Sequence, residues 1–365
     1  MQLIHGLYLG GAENVVANIA RQADRNRFDM QICCLKEKGV LGEQLESEGV
    51  RVLLPEKASG LLGKLRALKQ LIVSEQPDLI HSHGTAALLN IGPACMTGVR
   101  VPLIHTYHFG NYPHISKPYL WSERIFSRLA RRCVAVSESQ KAAVIEHLYV
   151  QENKVDVVLN GVPENPYRGD SGSRAKARSE FGYSDDEIVI GCIAVLSRQK
   201  GVNYLLESAR ELLERDIRLR FLIVGGGHLE QELRDQCSAY GLDKKIQFTG
   251  WRSDALRLLG ALDIFILPSL WEGLPMVLLE AMATELPIVV TDVADNRYII
   301  DDGVSGLIIP PENSSAISEA ILRLAGDMSA ARAMGQAAYT TYQARYSDSV
   351  MVEQYQSLYE ADSIR

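Results

Sequence analysis

Two glutamates stand eight positions apart in the segment LWEGLPMVLLEAMA, residues 270–283. Glu272 falls in a turn that contains Gly273, Leu274 and Pro275, whereas Glu280 falls inside an apolar run. Burying a carboxylate without a partner is costly, so such a residue is usually neutralised, paired or engaged with a ligand. Their types and spacing therefore mark this segment as a candidate binding site, with a capping acid and a structural ion pair as the alternative.

The residues around the two acids predict how they are presented. DIFILPS (263–269) predicts a buried strand, LWEGLP its exit turn, and MVLLEAMA a helix with Pro275 in its first turn. The first amides of that helix, at Met276, Val277 and Leu278, form a site suited to phosphate. Glu280 is then placed to accept hydrogen bonds from the vicinal hydroxyls of a ribose, and Glu272 from the hydroxyls of a sugar.

Cations follow the first predicted strand of the C-terminal half. SRQKG (197–201) supplies Arg198 and Lys200, two cations that can stabilise an anionic ligand. The alternative for an isolated surface arginine is plain solvation.

Glycines and one aromatic residue follow other predicted strands. Gly225 and Gly226 belong to an incomplete dinucleotide-like turn, and Gly10 and Gly11 open the first helix, where glycine lets a backbone approach a ligand closely. Both pairs are also compatible with ordinary tight turns. Trp251, followed by Arg252, is placed to frame a nucleobase, with a core or rim position as the alternative for the indole.

Four histidines lie at the ends of two adjacent predicted strands: His81, His83, His105 and His108. Alternate residues of a strand share a face, so His81 and His83 resemble a metal-binding pair. No acidic partner or third spaced ligand accompanies them, and the chain has no D-x-D motif. We therefore expect no metal site.

Strand and helix patterns alternate along the whole chain and predict two doubly wound parallel sheets. The predicted strands of the first sheet are 2–9, 28–35, 51–55, 77–83, 101–108, 133–137 and 155–160, and those of the second are 187–196, 218–227, 246–250, 263–269, 286–292 and 306–310. Between them, NGVPENPYRGDSGSR (160–174) predicts an interdomain linker. In such sheets ligands bind beyond the carboxyl ends of the strands, where the motifs above fall.

Composition excludes several function classes. The net charge of −7 is divided between +2 in residues 1–165 and −9 in residues 166–365, without the concentrated basic face of a nucleic-acid-binding protein. Six cysteines without C-x-x-C or zinc spacing indicate a reduced, cytoplasmic protein. No signal peptide or membrane span is expected. Two basic apolar segments, 57–69 and 117–132, leave peripheral contact with the inner face of a membrane as an alternative to ordinary solvated helices.

The run LPSLWEGLPMVLLEAMA resembles the E-x7-E motif of retaining glycosyltransferases of family 4, which have the GT-B fold. Further segments are similar to that family: GGAENVV (10–16), NGV (160–162), QKGVNYLLESA (199–209), FLIVGGGHLEQELR (221–234), IQFTGWRSDA (246–255) and IVVTDVADNRYIIDDGVSGLIIPP (288–311). Two positions depart from the family pattern. Val195 stands where an arginine is usual, with Arg198 nearby as its substitute, and Tyr298 stands where a glutamate is frequent.

The resemblance implies two Rossmann-like domains facing a central cleft. Residues 1–163 would bind the acceptor, 164–345 the nucleotide-sugar donor, and 346–365 would form a helix packing back on the N-terminal domain. It also implies sugar transfer with retention from a nucleoside-diphosphate sugar, UDP by default, to a hydroxyl of a glycan or lipid-linked acceptor, without a divalent metal. His108 would contact the donor sugar near the reaction centre, and Lys200 and Glu272 would complete the catalytic set with Arg198. A non-catalytic sugar-nucleotide-binding subunit and a GT-B-fold epimerase are the alternatives.

Overall fold

The computed structural model describes residues 1–8, 10–108, 117–216, 218–293 and 295–362. Within this part the chain forms two units, each with its own sheet. The first unit contains residues 1–161 together with the terminal segment from Asp348, and the second unit contains Val162–Ser347. Leu9, which belongs to the predicted strand 2–9, lies outside the described residues.

A seven-stranded parallel sheet forms the centre of the first unit, in the order β3-β2-β1-β4-β5-β6-β7. Its strands are β1 (Gln2–Gly6), β2 (Gln31–Glu37), β3 (Arg51–Leu53), β4 (Ile80–His83), β5 (Leu103–Thr106), β6 (Arg132–Ala135) and β7 (Val155–Val157). The helices between them are α1 (Gly11–Gln22), α2 (Gly39–Ser47), α3 (Gly60–Glu75), α4 (Gly84–Met96), α5 (Lys117–Phe126) and α6 (Glu138–Leu148).

The second unit is built on a six-stranded parallel sheet in the order β10-β9-β8-β11-β12-β13. Its strands are β8 (Ile188–Ile193), β9 (Leu219–Val224), β10 (Ile246–Phe248), β11 (Ile264–Leu267), β12 (Ile288–Thr291) and β13 (Leu307–Ile309). Its helices are α7 (Ser171–Glu180), α8 (Val202–Arg215), α9 (Glu230–Ala239), α10 (Ala255–Leu259), α11 (Met276–Ala283), α12 (Asn296–Ile299), α13 (Ser314–Gly326) and α14 (Met328–Arg345).

The last helix, α15 (Asp348–Asp362), belongs to the first unit and packs against α1. Val15 and Ile19 of α1 share a buried apolar cluster with Met351, Tyr355 and Tyr359 of α15. This burial explains why a short amphipathic segment far away in sequence forms a stable helix here, since helices gain most of their stability from packing an apolar face.

The predicted fold class is confirmed, because every predicted strand has a counterpart and both sheets are fully parallel. The strands are shorter than predicted, since the apolar runs continue into the turns that follow them. Part of the predicted linker is wrong. Helix α7 begins at Ser171, capped by the Asp170 carboxylate, and the Asn165 amide group donates to Thr284 within the second unit.

Candidate active site

Strand order changes direction once in the second sheet, between β8 and β11. In open parallel sheets the loops beyond such a switch point diverge and leave a crevice where ligands bind. The loop after β8 holds Arg198 and Lys200, and the loop after β11 holds Glu272. The topology therefore brings two distant sequence motifs to the one position in this sheet that favours ligand binding.

Lys200 and Glu272 form an ion pair across these two loops. The Lys200 Nζ atom lies 2.5 Å from Glu272 Oε1, and the side chains are 16% and 5% exposed. The Ser269 hydroxyl donates to the same carboxylate oxygen over 2.6 Å, and the Gln199 amide group lies 3.4 Å from Oε2. Glu272 is thus a buried acid with partners on both oxygens, held by residues from both loops.

The close approach of the two loops depends on Gly201. This residue has φ +60°, and an added Cβ atom would overlap the carbonyl oxygen of Pro268. The backbone amide of Leu270 donates to the Gln199 carbonyl over 2.7 Å, which joins the loops through the main chain. A glycine is required here because any other side chain would separate Lys200 from Glu272.

Helix α11 begins at Met276, directly after the turn of Gly273, Leu274 and Pro275. Pro275 is the extended N-cap residue and not the first helical residue, which corrects the sequence prediction. The Leu278 amide donates to the Pro275 carbonyl over 3.0 Å, so the prediction that this amide is free to bind phosphate is wrong. Since a helix leaves its first amides without intrahelical acceptors, Met276 and Val277 are the donors for an anion at this end.

Glu280 lies one turn further along α11 and is half-buried. Burial raises the pKa of its carboxyl above the ordinary value. Among the residues that the structure describes, its carboxylate has no ion-pair or hydrogen-bond partner. Glu272 and Glu280 therefore differ. The Glu272 carboxylate is neutralised by Lys200, whereas burial of the Glu280 carboxylate has a desolvation cost that a hydrogen-bond donor on a ligand would offset.

The glycine turn after β9 lies next to the loop after β10. Gly225 has φ +125° and donates its amide to the Gly250 carbonyl over 2.9 Å. The indole nitrogen of Trp251 lies over Gly226, at 2.6 Å from where a Cβ atom would stand. Trp251 is 70% exposed, so the core alternative for this residue is wrong. The structure brings Trp251 to the glycine turn, as the prediction of a nucleobase-framing group requires.

Arg252 points into a different environment. Its guanidinium binds the Glu180 carboxylate at 2.7 Å and the Asp254 carboxylate at 2.8 Å, in a network that Arg257 shares. Three of the five N–H groups of the guanidinium donate to these two carboxylates. Arg252 therefore holds α7 against the loop after β10, and this engagement competes with its predicted role beside a nucleobase.

Arg198 is exposed in the short 3-10 turn that also holds Lys200, and among the described residues it has no ion-pair partner. Val195, at the position where the family has an arginine, is 48% exposed. An arginine at 195 would thus reach solvent beside the same turn. This placement is compatible with Arg198 acting as its substitute.

In the first unit, Gly10 is the extended N-cap of α1, and Gly11 is its first residue. The Glu13 carboxylate folds back over Gly10, where an added Cβ atom would overlap one of its oxygens. A carboxylate near a helix N-terminus is favourable in the absence of another anion. The flexible Glu13 side chain must therefore move if a phosphate approaches this turn.

Three of the four histidines, His81, His83 and His108, belong to one buried hydrogen-bond network. Both ring nitrogens of His81 and of His83 have hydrogen-bond partners. In the ranges that the structure covers, no three His, Cys, Asp or Glu side chains converge on a point that would hold a metal ion. His108 is half-buried at the end of the β5 strand and bonds to His83 over 2.9 Å. Burial lowers its pKa to about 4.

Sequence reasoning missed four supporting residues. Ser269 and Gln199 stand inside motifs that were recognised, and a polar side chain beside a buried acid is the signal that identifies them. Tyr355 and Tyr359 of α15 reach the histidines of β4 from the far end of the chain. No pattern in a single sequence links those tyrosines to residues more than 250 positions away.

Comparison with known proteins matches both units to glycosyltransferases. The model of Glycosyltransferase Family 4 matches residues 9–165, and that of Glycosyl transferases group 1 matches residues 173–341. An α-1,3-galactosyltransferase of Escherichia coli, named as using UDP-Gal and GlcNAc-diphosphoundecaprenol, is 26% identical over 87% of this chain and 86% of its own. The putative glycosyltransferase EpsF of Bacillus subtilis is 25% identical over 89% and 87%.

Solved structures show the same fold. HepE of Anabaena, crystallised with UDP, superposes with a TM-score of 0.86 at 22% identity over 99% of this chain and 100% of its own. A glycosyltransferase from Rickettsia africae gives a TM-score of 0.86 at 19% identity over 99% and 98%. With two Rossmann-like parallel-sheet units and both family models in place, the chain belongs to the GT-B glycosyltransferases, with a family 4 N-terminal part and a group 1 C-terminal part.

Proposed function

We propose that the protein is a retaining glycosyltransferase that transfers a sugar from UDP-sugar to a hydroxyl of a glycan or lipid-linked acceptor. The observation that carries this proposal is the pair of acids around α11. One is neutralised by Lys200, and the other is half-buried and has no partner among the residues that the structure describes. The names of the relatives support the substrate classes. HepE was crystallised with UDP, and the Escherichia coli relative is named for a diphosphoundecaprenol acceptor.

Each residue of the second-unit site has a role in this proposal. The amides of Met276 and Val277 donate to a phosphate, and Glu280 accepts from the two ribose hydroxyls, which offsets the cost of its burial. Lys200 stabilises the diphosphate as it departs, and its pairing with Glu272 holds the ammonium at the switch point before the donor arrives. Glu272 also accepts from a sugar hydroxyl, and Trp251 covers the base beside Gly225 and Gly226.

Retention and metal independence are further parts of this proposal. The departing phosphate deprotonates the acceptor hydroxyl, so the protein needs no strong base of its own. The positive charges at Lys200 and Arg198, with the helix amides, take the place of a cation on the diphosphate. Glu272 is already paired, which disfavours a role as a covalent nucleophile.

The acceptor is proposed to approach the first unit, where α3 supplies a basic apolar surface. Leu61, Leu62 and Val73 are 75%, 80% and 70% exposed, and Lys64 and Arg66 are exposed on the same helix. None of the helices in the described part of the chain is long and apolar enough to cross a membrane. We infer a peripheral contact through this α3 surface with the cytoplasmic face of an anionic membrane, where a lipid-linked acceptor would reside.

The test is release of UDP from UDP-sugars, measured with and without acceptor lipid extract, in EDTA. We expect acceptor-dependent UDP release by the wild-type protein. The rate of release should fall at least a hundredfold in Lys200→Ala and Glu280→Ala. The exposed control Lys176→Ala should release UDP at the wild-type rate. The anomeric configuration of the product, read by NMR, tests retention. Tight UDP-sugar binding without release on any acceptor would instead identify a binding subunit, and a strict divalent-metal requirement would contradict the proposed site.

A further inference from the structure

A continuous run of hydrogen bonds joins His108 to the terminal helix inside the first unit. His108 Nε2 lies 2.9 Å from His83 Nδ1, and His83 Nε2 lies 2.6 Å from Gln2 Oε1. The Gln2 amide nitrogen then donates to the Tyr359 hydroxyl over 3.0 Å. Gln2 and His83 are only 1% and 3% exposed, so water does not compete for these bonds.

The chemistry of Gln2 sets the direction of each bond. Its Oε1 atom only accepts, so the facing Nε2 atom of His83 carries the proton. A neutral imidazole has a single N–H, which leaves a lone pair on Nδ1 of His83. That lone pair requires an N–H from Nε2 of His108. His108 is then protonated at Nε2 and carries its own lone pair at Nδ1.

The rings stay neutral around pH 7. Burial lowers the pKa of His83 well below the ordinary range and that of His108 to about 4. Each of these two rings therefore carries a single proton at neutral pH.

The remaining nitrogen of His108 is the end of the run. Its Nδ1 atom is buried and has no hydrogen-bond partner among the described residues. A buried polar atom without a partner costs free energy that a ligand donor would recover. The free lone pair thus marks the position where a hydroxyl group of a ligand belongs.

We propose that Gln2 and His83 are positioning residues that hold His108 in the Nε2–H tautomer, so that its Nδ1 atom accepts a hydrogen bond from a hydroxyl of a bound sugar. The tautomer is a property of the fold, whereas the identity of the hydroxyl-bearing ligand rests on the proposed function. The consequence for specificity is directional: this contact recognises a group that donates and rejects one that only accepts.

A second arm of the network is compatible with this orientation of the Gln2 amide, because each hydroxyl in it can donate as well as accept. The Tyr359 hydroxyl accepts from Gln2 and lies 2.7 Å from His81 Nδ1, and His81 Nε2 lies 2.7 Å from the Thr106 hydroxyl. Turning the amide over would reverse both arms and move the proton of His108 to Nδ1. The terminal helix therefore contributes, through Tyr359, to the chemistry offered at the other end of the run.

The direct test is a two-bond ¹H–¹⁵N correlation spectrum of the full chain labelled with ¹⁵N-histidine at neutral pH, with His108 assigned through His108→Asn. We expect an unprotonated Nδ1 and a protonated Nε2. Gln2→Met, which removes the acceptor that faces His83, should give a mixture of the two tautomers. Tyr355→Phe is the control, because it removes only the hydroxyl that lies 3.3 Å from the Thr106 hydroxyl at the far end of the second arm. A protonated Nδ1 in the wild-type protein, or an unchanged His108 in Gln2→Met, overturns the proposal.

The ligand part is tested with UDP-sugar analogues in which single hydroxyls are replaced by hydrogen or by fluorine. At one position both replacements should weaken binding by roughly tenfold, because fluorine cannot donate. In His108→Phe, replacing the hydroxyl at that position of the sugar should no longer change the affinity. Restored binding with fluorine overturns the proposed direction. If no sugar nucleotide binds, the proposed function fails, and the tautomer remains decided by the spectrum alone.

Discussion

The Lys200 ammonium and the Glu272 carboxylate lie 2.5 Å apart at the switch point of the second sheet. They are the charged residues that a sequence comparison selects as separate site residues, yet in the fold each neutralises the other. Ser269 and Gln199 complete the environment of the carboxylate. A diphosphate that arrives at this position must therefore share Lys200 with an acid that is already buried.

Lys200→Ala should destabilise the protein as well as inactivate it. Removing the ammonium leaves Glu272, which is 4% exposed, as an unpaired buried charge at a cost of about 3 kcal/mol of unfolding free energy. The double variant Lys200→Met with Glu272→Gln should recover most of that loss without recovering transfer. Denaturant unfolding and UDP release measure the two effects. A double variant as unstable as the single one, or an active one, would disprove this division of roles.

Glu280→Gln should stabilise the free protein at pH 7.5 while abolishing donor binding. Because burial raises the pKa of this carboxyl in the fold, the ionised acid costs free energy at neutral pH. Below pH 4.5 the acid is protonated in both states, and the difference should vanish. We expect a higher melting temperature than wild type at pH 7.5, an equal one at pH 4, and no rise on adding UDP. The exposed control Glu319→Gln should keep the wild-type melting temperature and UDP response.

The positions of the strands along the chain and the parallel, doubly wound class of both sheets were predictable from sequence because they depend on local patterns. Apolar runs, glycine turns and the spacing of Glu272 and Glu280 all lie within short windows. What those patterns do not contain is pairing between windows. Lys200 and Glu272 are 72 positions apart, and only the folded sheet makes the pair visible.

Arg252 shows the opposite limit of sequence reasoning. Its position after β10 and beside Trp251 is typical of a ligand contact, but Glu180 and Asp254 compete for the guanidinium within the fold. The histidines show a third limit of sequence reasoning, which concerns the partners of a recognised motif. A two-residue spacing on β4 is compatible with a metal pair, but the ring nitrogens of His81 and His83 are bonded within the fold to Gln2, Thr106, His108 and Tyr359.

Gly225→Ala should disrupt the turn that carries the proposed nucleotide contact. Gly225 has φ +125°, and a Cβ atom would overlap the Ala194 carbonyl oxygen. Gly241 is a matched control, because it has φ +70° with no atom within 4 Å of the added Cβ. Gly241→Ala should lower the free energy of unfolding by about 1–2 kcal/mol from backbone strain alone. Gly225→Ala should lower it distinctly more, and it should also abolish the rise in melting temperature that UDP produces. Equal losses in both variants would show that the close contact is relieved without consequence.

Membrane contact should depend on the α3 surface. Leu61→Glu with Leu62→Glu should prevent co-sedimentation with vesicles containing phosphatidylglycerol, because it removes exposed apolar area and adds repulsion. Val304→Glu, at a 55% exposed apolar residue of the second unit, is the control. Binding of the wild-type protein should fall as salt rises. Equal binding to neutral and anionic vesicles would contradict the electrostatic part of the proposal.

Acid should unfold the protein through its histidines. Burial lowers the pKa of His81 and His83 well below 6.5, that of His105 to about 3 and that of His108 to about 4. Below pH 6.5 these rings therefore bind protons in the unfolded chain but not in the native state. The free energy of unfolding then falls with decreasing pH by up to about 1.4 kcal/mol per pH unit for each ring.

Proton uptake on unfolding, measured by calorimetry near pH 5.5 in buffers of different ionisation enthalpy, tests this account. His105 is fully buried, and its Nε2 atom has no partner among the described residues, so His105→Leu should fill the space while removing one titrating ring. We expect about one proton fewer to be taken up than in the wild-type protein. His228→Asn, at an exposed position, should leave the steepness of acid unfolding unchanged. Undiminished uptake in His105→Leu would mean that other groups, and not the buried rings, set the acid limit of the fold.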